Sequence, residues 1–241
     1  MASLQTAFPA RPLLLLALGS ALLGAAQPGA GRPPSVFKGG KQSLPDLGRS
    51  LRSLGHAPAL EDVRRAVAPA LGYWRRNPRV PSAVIKGLAT EQRPLVIVHL
   101  LTVMAEGQVG VSGAHCSKAV SACARASLWG HAIALLSSMV QLHVEPGLVA
   151  YTSAVSAVGK GGKWQCALEL FGAMGHRRIE PDVVICGAAV SACEKAGQWQ
   201  RALALFGAMG HRRIEPDVVI CGAAVSACEK AGQWQRALAL F

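Results

Sequence analysis

The stretch FGAMGHRRIEPDVVICGAAVSACEKAGQWQRALAL, residues 171–205, is followed at once by an identical copy at residues 206–240. All 35 positions match, and Phe241 begins what would be a third copy. Self-similarity at a fixed period of about 20–50 residues is typical of repeat proteins, in which each repeat is one supersecondary unit. The duplicated stretch therefore decides the fold class before any shorter motif is considered.

The same period continues upstream of the two identical copies. Three residue types recur every 35 residues: Trp129, Trp164, Trp199 and Trp234; Met104, Met139, Met174 and Met209; Val109, Val144, Ile179 and Ile214. These landmarks define repeats at 113–147, 148–182, 183–217 and the incomplete 218–241, with a degenerate repeat at 78–112 before them. Upstream of about residue 78 the register is lost, so the repeat array is predicted to cover residues 78–241.

Each repeat carries two helical patterns. Within residues 183–195, small apolar residues recur on one face of a helix, Asp182 stands where a residue caps a helix start, and Gly197 marks a turn. From Trp199 onward, large apolar residues recur at spacings of three and four, which predicts a second helix that ends at Gly210. Since stacked neighbours must cover these apolar faces, we predict an all-α fold, a right-handed α-solenoid of 35-residue helix–turn–helix repeats.

The N-terminal region is predicted to be a targeting region. Residues 1–26 form a signal-like segment, because the apolar run Leu13–Leu23 follows Arg11 and precedes small residues. That run is too short to span a membrane, so no transmembrane segment is expected in the mature chain; a buried N-terminal helix is the alternative. Residues 27–56 are basic and rich in Pro, Gly and Ser, which predicts a disordered transit-like segment. Residues 57–77 form a poorly defined helical lead-in.

This N-terminal pattern favours an organelle, with a plastid as the first prediction and a mitochondrion or secretion as alternatives. The net charge of +12 also falls mainly in this part of the chain, since residues 1–112 carry +8 and residues 113–241 only +4. The basic composition alone is therefore weak evidence for a nucleic-acid partner.

The sequence predicts neither a metal site nor an enzyme. Its seven cysteines include no C-x-x-C pair and no histidine at ligand spacing, and six of them recur in repeat register, so they are predicted to be buried packing residues. No acid–base or nucleophile cluster, Walker loop, G-x-S-x-G motif or deaminase signature is present. We therefore expect no catalytic residues, no cofactor and no small-molecule substrate.

The repeat motif resembles one known family. A 35-residue period closed by Ile-Glu-Pro-Asp, with Ser-Ala-Cys-Glu-Lys-Ala-Gly followed by Ala-Leu-x-Leu-Phe-x-x-Met, is similar to the pentatricopeptide repeat family over residues 113–241. The form of the motif looks like the repeats of algal and dinoflagellate proteins. The resemblance implies an organellar protein that binds single-stranded RNA with one base per repeat. It further implies an adaptor in RNA processing, editing, stability or translation, with other organellar RNA-processing proteins as possible partners.

The resemblance also assigns residues to RNA contact. The fifth and the last residue of a repeat read a base, which pairs Ser117 with Gly147, Thr152 with Asp182, and Gly187 with Asp217, and leaves Gly222 without a partner. The second residue of a repeat sandwiches the base, and here it is Val149, Val184 or Val219. Only Thr152 with Asp182 matches a family pairing, one that favours guanine. Gly187 and Gly222 have no side chain that could bond a base edge.

A cation recurs near the end of each first helix, at Arg125, Lys160, Lys195 and Lys230. Evenly spaced positive charge on one face suits a phosphate backbone, and stabilisation of a helix C-terminus is the alternative. Two other functions stay open. A helical-repeat scaffold that binds protein without RNA is favoured by Gly187 and Gly222, and the chain could instead be the N-terminal fragment of a larger RNA-modifying protein.

Overall fold

The computed structural model describes residues 44–55, 58–77, 79–141 and 144–238, and every regular element in these ranges is an α-helix. The predicted signal-like segment 1–26 and residues 27–43 of the predicted transit-like segment lie outside the described residues. The chain forms two compact units. One contains the residues up to Ala122 together with Ser137–Glu145, and the other contains Cys123–Leu136 and the residues from Pro146 onward.

The described ranges contain helices α1 Leu44–Ser53, α2 Leu60–Arg76, α3 Arg79–Thr90, α4 Pro94–Glu106, α5 Gly113–Arg125, α6 Trp129–Gln141, α7 Leu148–Lys160, α8 Trp164–His176, α9 Val183–Lys195, α10 Trp199–His211, α11 Val218–Lys230 and α12 Trp234–Leu238. From α5 onward the helices come in pairs, and each helix starts 35 residues after its counterpart in the preceding pair. The predicted all-α fold of helix–turn–helix repeats is therefore confirmed.

The turn inside each helix pair has a fixed backbone conformation. One residue of this turn is left-handed, with φ between 54° and 68°, and it recurs at 35-residue steps as Gln92, Ser127, Gly162, Gly197 and Gly232. The residue after it donates its N–H to a carbonyl five residues back, as from Gln198 to Cys193 at 2.9 Å. The turn predicted at Gly197 is confirmed. The same backbone register reaches Gln92, in the degenerate repeat that lacks the tryptophan landmark.

The end of the second helix differs from the prediction. Helix α10 continues past Gly210 to His211, and the left-handed residue is Arg213, with φ 56°. The N–H of Ile214 then donates to the carbonyl of Met209 at 3.0 Å, while the Ile214 side chain packs against the core. This hydrogen bond returns the chain toward the core at Ile214, and it requires the left-handed conformation at the preceding residue, Arg213. In each repeat, the backbone N–H of the recurring Val or Ile thus donates to the backbone carbonyl of the recurring Met.

In the second compact unit, the first helices α7, α9 and α11 stack on one another in order. Helix α8 packs on α7 and α9, and α10 packs on α9 and α11, so each second helix bridges two first helices. Small residues permit this close approach, since a Cβ on Gly159 would lie 3.1 Å from the Cβ of Ala192. Buried residues Cys186, Val190, Cys193, Ala202, Met209, Ile220 and Ala227 form the core here, with Trp199 and Phe206 packed against them.

The first compact unit has a different core, in which α2 packs mainly on α4 and α1 packs on α2 and α3. The prediction of disorder over residues 27–56 is wrong for residues 44–53, which form α1 with Leu47 and Leu51 buried. The buried guanidinium of Arg93 donates to the carbonyls of Leu51 at 2.7 Å and Gly55 at 2.8 Å. The basic, glycine-containing composition suggested disorder, although the leucines of α1 have helical spacing. The carbonyls at the end of α1 accept hydrogen bonds from Arg93, which is distant in sequence. Residues 60–76 of the predicted lead-in form α2.

The cysteines pack in the helix interfaces and form no disulfide. All are buried except Cys221, which is half-buried. Burial raises the pKa of Cys116 to about 11 and that of Cys123 to about 12, so these thiols stay protonated near neutral pH. Their predicted packing role is confirmed. No helix in the described ranges has both the length and the apolar character needed to cross a membrane.

Candidate nucleic-acid interface

The predicted RNA-contacting positions share one side of the first helices. Because an α-helix turns about 100° per residue, its second, fifth, ninth, twelfth and thirteenth residues lie within an arc of about 100°. We call this surface the first-helix face. In α7, α9 and α11 respectively it comprises Val149, Thr152, Ser156, Gly159 and Lys160; Val184, Gly187, Ser191, Glu194 and Lys195; and Val219, Gly222, Ser226, Glu229 and Lys230. Stacking of these three helices places equivalent residues in rows.

One row of this face consists of exposed valines. Val149, Val184 and Val219 have exposed fractions of 64%, 60% and 77%, although they are large apolar residues. Each is the second residue of its helix, just after the residue that starts it. A repeated, exposed apolar side chain of this kind offers a surface for the flat face of a base.

The predicted base-reading positions also serve the helix ends. An Oδ1 atom of Asp182 accepts the N–H of Ile185 at 2.9 Å, and Asp217 accepts that of Ile220 at 2.8 Å. The predicted capping role of Asp182 is confirmed, and its second carboxylate oxygen is left for another donor. The Thr152 hydroxyl donates to the Leu148 carbonyl at 2.9 Å and keeps its acceptor lone pairs.

The remaining predicted readout residues differ in their surroundings. A Cβ on Gly187 would lie 3.0 Å from Cγ1 of Ile220, whereas a Cβ on Gly222 would meet no atom within 4 Å. A side chain at position 187 would therefore press on Ile220, whereas one at position 222 would meet open space. Gly147 starts α7 without a side-chain cap bond, and Ser117 is half-buried on α5.

The four predicted phosphate-binding cations are not equivalent. Lys160 and Lys195 are exposed at the ends of α7 and α9, and Arg125 is exposed at the end of α5. Lys230 instead forms an ion pair with Glu194, which also accepts the hydroxyl of Ser226 at 3.1 Å. Burial raises the pKa of Glu194, but the hydrogen bonds from Lys230 and Ser226 outweigh it and hold this pKa below its ordinary value.

Sequence reasoning missed Glu194 because its partner lies 36 residues away. A signal was nevertheless present. In stacked helices of fixed period, an acid beside the repeated lysine position faces the lysine of the next repeat. The serines at the ninth position were missed as well, although Ser156, Ser191 and Ser226 also recur at 35-residue steps on this face.

Other cations stack on aromatic rings of the second helices. The guanidinium of Arg201 lies 4.7 Å from the ring centre of Trp164, the ammonium of Lys163 lies 5.6 Å from that of Trp129, and Arg212 lies 5.9 Å from Phe171. Each contact joins two successive helix pairs and stabilises their stacking. These cations are therefore separate from the lysine row of the first-helix face.

The first compact unit contains a serine–histidine pair at the distance of a catalytic dyad. The Nε2 atom of His115 lies 2.6 Å from the hydroxyl oxygen of Ser82, and its Nδ1 atom accepts the N–H of Ser112 at 3.2 Å. Because Nδ1 is the acceptor, Nε2 carries the ring proton and donates it to Ser82, so the neutral imidazole cannot take the serine proton. Burial, and then the charge of Lys118, lowers the pKa of His115. This pair is structural.

A family model described as "Pentatricopeptide repeat domain" matches residues 134–193 and, overlapping them, residues 174–231. A comparison with curated protein sequences found no match.

Solved structures of pentatricopeptide repeat proteins have a similar fold. The PPR domain of Arabidopsis thaliana protein-only RNase P 1, in complex with tRNA, aligns with a TM-score of 0.58 and 15% identity over 65% of this chain and 84% of that chain. PPR10 from maize aligns with a TM-score of 0.61 and 20% identity over 98% of this chain and 32% of its own. PPR10 in complex with an 18-nt psaJ RNA element gives a TM-score of 0.58 at 20% identity, covering 95% of this chain and 33% of that chain.

Proposed function

Because residues 134–231 belong to the pentatricopeptide repeat family, we propose that this chain binds single-stranded RNA along the first-helix face. The observation that carries the proposal is the pair of rows on that face, one of exposed valines and one of cations. Bases insert between successive valines, and lysines contact the phosphates between them. Each repeat then takes one nucleotide.

Sequence selectivity on this face is uneven. Asp182 and Thr152 retain acceptor atoms after their own hydrogen bonds, so the repeat they frame can discriminate among bases. The family resemblance makes guanine the expected base. Gly187 and Gly222 offer no side chain to a base, so we expect less discrimination among bases in those repeats. Stacked bases contribute about 1–3 kcal/mol each by substitution, so affinity should depend on the number of repeats in contact with RNA.

A titration of the full chain with labelled random single-stranded RNA tests the proposal. We expect salt-dependent binding, and Lys160→Glu with Lys195→Glu should weaken it about tenfold or more and reduce the salt dependence. The matched control is Arg178→Glu with Arg213→Glu, which changes the net charge equally in exposed turns after the second helices. This control should leave binding nearly unchanged.

Two outcomes would contradict the proposal. Equal losses in both double variants would mean that net charge alone governs binding. The absence of salt-dependent RNA binding at micromolar protein would favour the alternative, a scaffold that binds protein through the same face. Single-stranded DNA of the same sequence serves as a second ligand, since only RNA presents the 2′-hydroxyl.

We further propose that the chain acts as an adaptor in organellar RNA processing, editing, stability or translation, with a plastid as the favoured location. The basic, apolar-led N-terminal sequence supports a targeting segment, and residues 1–43 precede α1. Residues 1–43 fused to a fluorescent protein should therefore direct it to plastids. Mitochondrial or secreted fluorescence would select one of the alternatives.

A further inference from the structure

We propose that the ion pair with Glu194 keeps Lys230 from contacting RNA. Phosphate contact in these stacked repeats is then made by Lys160 and Lys195. This inference rests on the proposed function. Glu194 is the twelfth residue of α9 and lies on the first-helix face beside the cation row. Its carboxylate accepts the Ser226 hydroxyl at 3.1 Å and the Lys230 ammonium, both from α11. The carboxylate is thus held between two successive first helices.

A phosphate cannot take Lys230 from this pair without a penalty. The side chain of Glu194 is only 12% exposed, while that of Lys230 is 55% exposed. Moving the ammonium to a phosphate would leave a largely shielded carboxylate with one hydroxyl donor. It would also place that negative charge beside the incoming phosphate.

Lys195 has the same sequence around it as Lys230 but a different neighbour. The residue that corresponds to Glu194 in the preceding repeat is Gly159, and for Lys160 it is Ala124. Neither residue has a carboxylate. No ion pair involving Lys160 or Lys195 occurs within the described part of the chain. Whether a lysine of this row forms an ion pair therefore depends on the twelfth residue of the first helix in the preceding repeat.

This arrangement has a consequence for the identical copies. A repeat with glutamate at its twelfth position neutralises the lysine of the repeat that follows, so added copies of this sequence extend the stack without extending the cationic row. Glu229 carries the same carboxylate at the same position of α11. Among these stacked repeats, the charged part of the RNA site ends at Lys195.

The first experiment compares two lysines at the ends of identical helices in the full chain. Affinity for labelled random single-stranded RNA is measured against salt concentration. Lys195→Gln should reduce the slope of log affinity against log salt by about 0.7, the value for one phosphate contact on a single strand. Lys230→Gln should leave the slope unchanged. Equal effects of the two substitutions would overturn the inference.

The second experiment frees Lys230. Glu194→Gln should steepen the slope by about 0.7, and Lys230→Gln added to this variant should remove the gain. Glu229→Gln is the matched control, because it removes the same charge from an identical sequence without freeing a lysine from an ion pair in the described ranges. An equal gain from Glu229→Gln would contradict a specific role of Glu194.

Folding of every variant is checked by thermal unfolding followed by circular dichroism. If neither the wild-type chain nor any folded variant binds RNA, the proposed function fails and this inference fails with it. If the wild-type chain binds but Lys195 and Lys230 behave alike, only this inference fails.

Discussion

Helices α9 and α11 have the same sequence and different surroundings. Cys186 in α9 is 2% exposed and Val183 is half-buried, whereas Cys221 in α11 is half-buried and Val218 is 89% exposed. The difference arises because α11 packs on α9, while no helix in the described ranges packs on the corresponding side of α11. Two identical sequences thus serve as an internal control, which shows that burial here is set by the neighbouring helix.

Features formed within one helix pair do not differ between the copies. Gly197 and Gly232 both have φ 68°. The capping bonds of Asp182 and Asp217 measure 2.9 and 2.8 Å. Capping and turn geometry depend on residues a few positions apart, so identical sequences give identical results. The following predictions separate these local features from those that depend on the next helix pair.

The largest difference is expected for the repeated tryptophan. Trp199 packs against the core, whereas Trp234 is 63% exposed. Trp199→Ala should lower the free energy of unfolding by about 3 kcal/mol, and Trp234→Ala by about 1 kcal/mol or less, because less apolar surface loses its contacts. Urea unfolding followed by circular dichroism measures both values. Equal losses would mean that Trp234 is packed in solution as Trp199 is.

The fifth-position glycines should differ next. Gly187→Val should destabilise the chain by about 1–3 kcal/mol, because the new side chain overlaps Ile220. Gly222→Val should be neutral or slightly stabilising, since open space surrounds that position and glycine is a poor helix former. The same denaturation assay applies. A destabilising Gly222→Val would show that another element covers α11.

The turn glycines should behave alike. Gly197→Ala and Gly232→Ala each force a side chain into the left-handed conformation, which costs about 1–2 kcal/mol. The converse substitution, Ser127→Gly, relieves the same conformation at φ 58° and should stabilise the chain. Differential scanning calorimetry of the three variants tests this. A gain from Gly197→Ala would contradict the assigned backbone.

The smallest effect concerns Glu194 and depends on pH. Because its pKa is below the ordinary value in the folded chain, Glu194 contributes stability above its unfolded pKa and loses it as the pH falls through the folded pKa. Glu194→Gln should therefore lower stability near neutral pH, by about 0.2–1 kcal/mol for a partly exposed pair, and the difference from wild type should vanish in acid. Glu229→Gln should have little effect. A difference for Glu194→Gln that persists at low pH would rule out the ion pair as its cause.

Much of the fold could be predicted because the sequence repeats. The period gave the helix pairs, Asp182 gave a helix start, and Gly197 gave a turn, since each depends on neighbours within a few residues. The prediction failed at Gly210 because the core contact of Ile214, not the presence of a glycine, selects Arg213 for the left-handed conformation. It failed at residues 44–53 because Arg93, about forty residues away, completes the end of α1.

The candidate site was predicted less completely, for the same reason. The valine and cation rows follow from the period, and they stay a prediction until RNA binding is measured. Two contacts could not be predicted from one repeat, because each joins residues of two successive repeats. They are the ion pair of Lys230 with Glu194 and the packing of Ile220 against Gly187.

The sequence by itself determined the helices, their turns, their caps and their period, since these depend on hydrogen bonds that span five residues or fewer. Only the tertiary structure decided which of two identical residues is buried, which glycine is crowded and which lysine is paired. Those properties arise from contacts 32 to 36 residues apart, as Glu194 makes with Ser226 and Lys230. Two identical repeats differ only in the helix pairs that pack next to them.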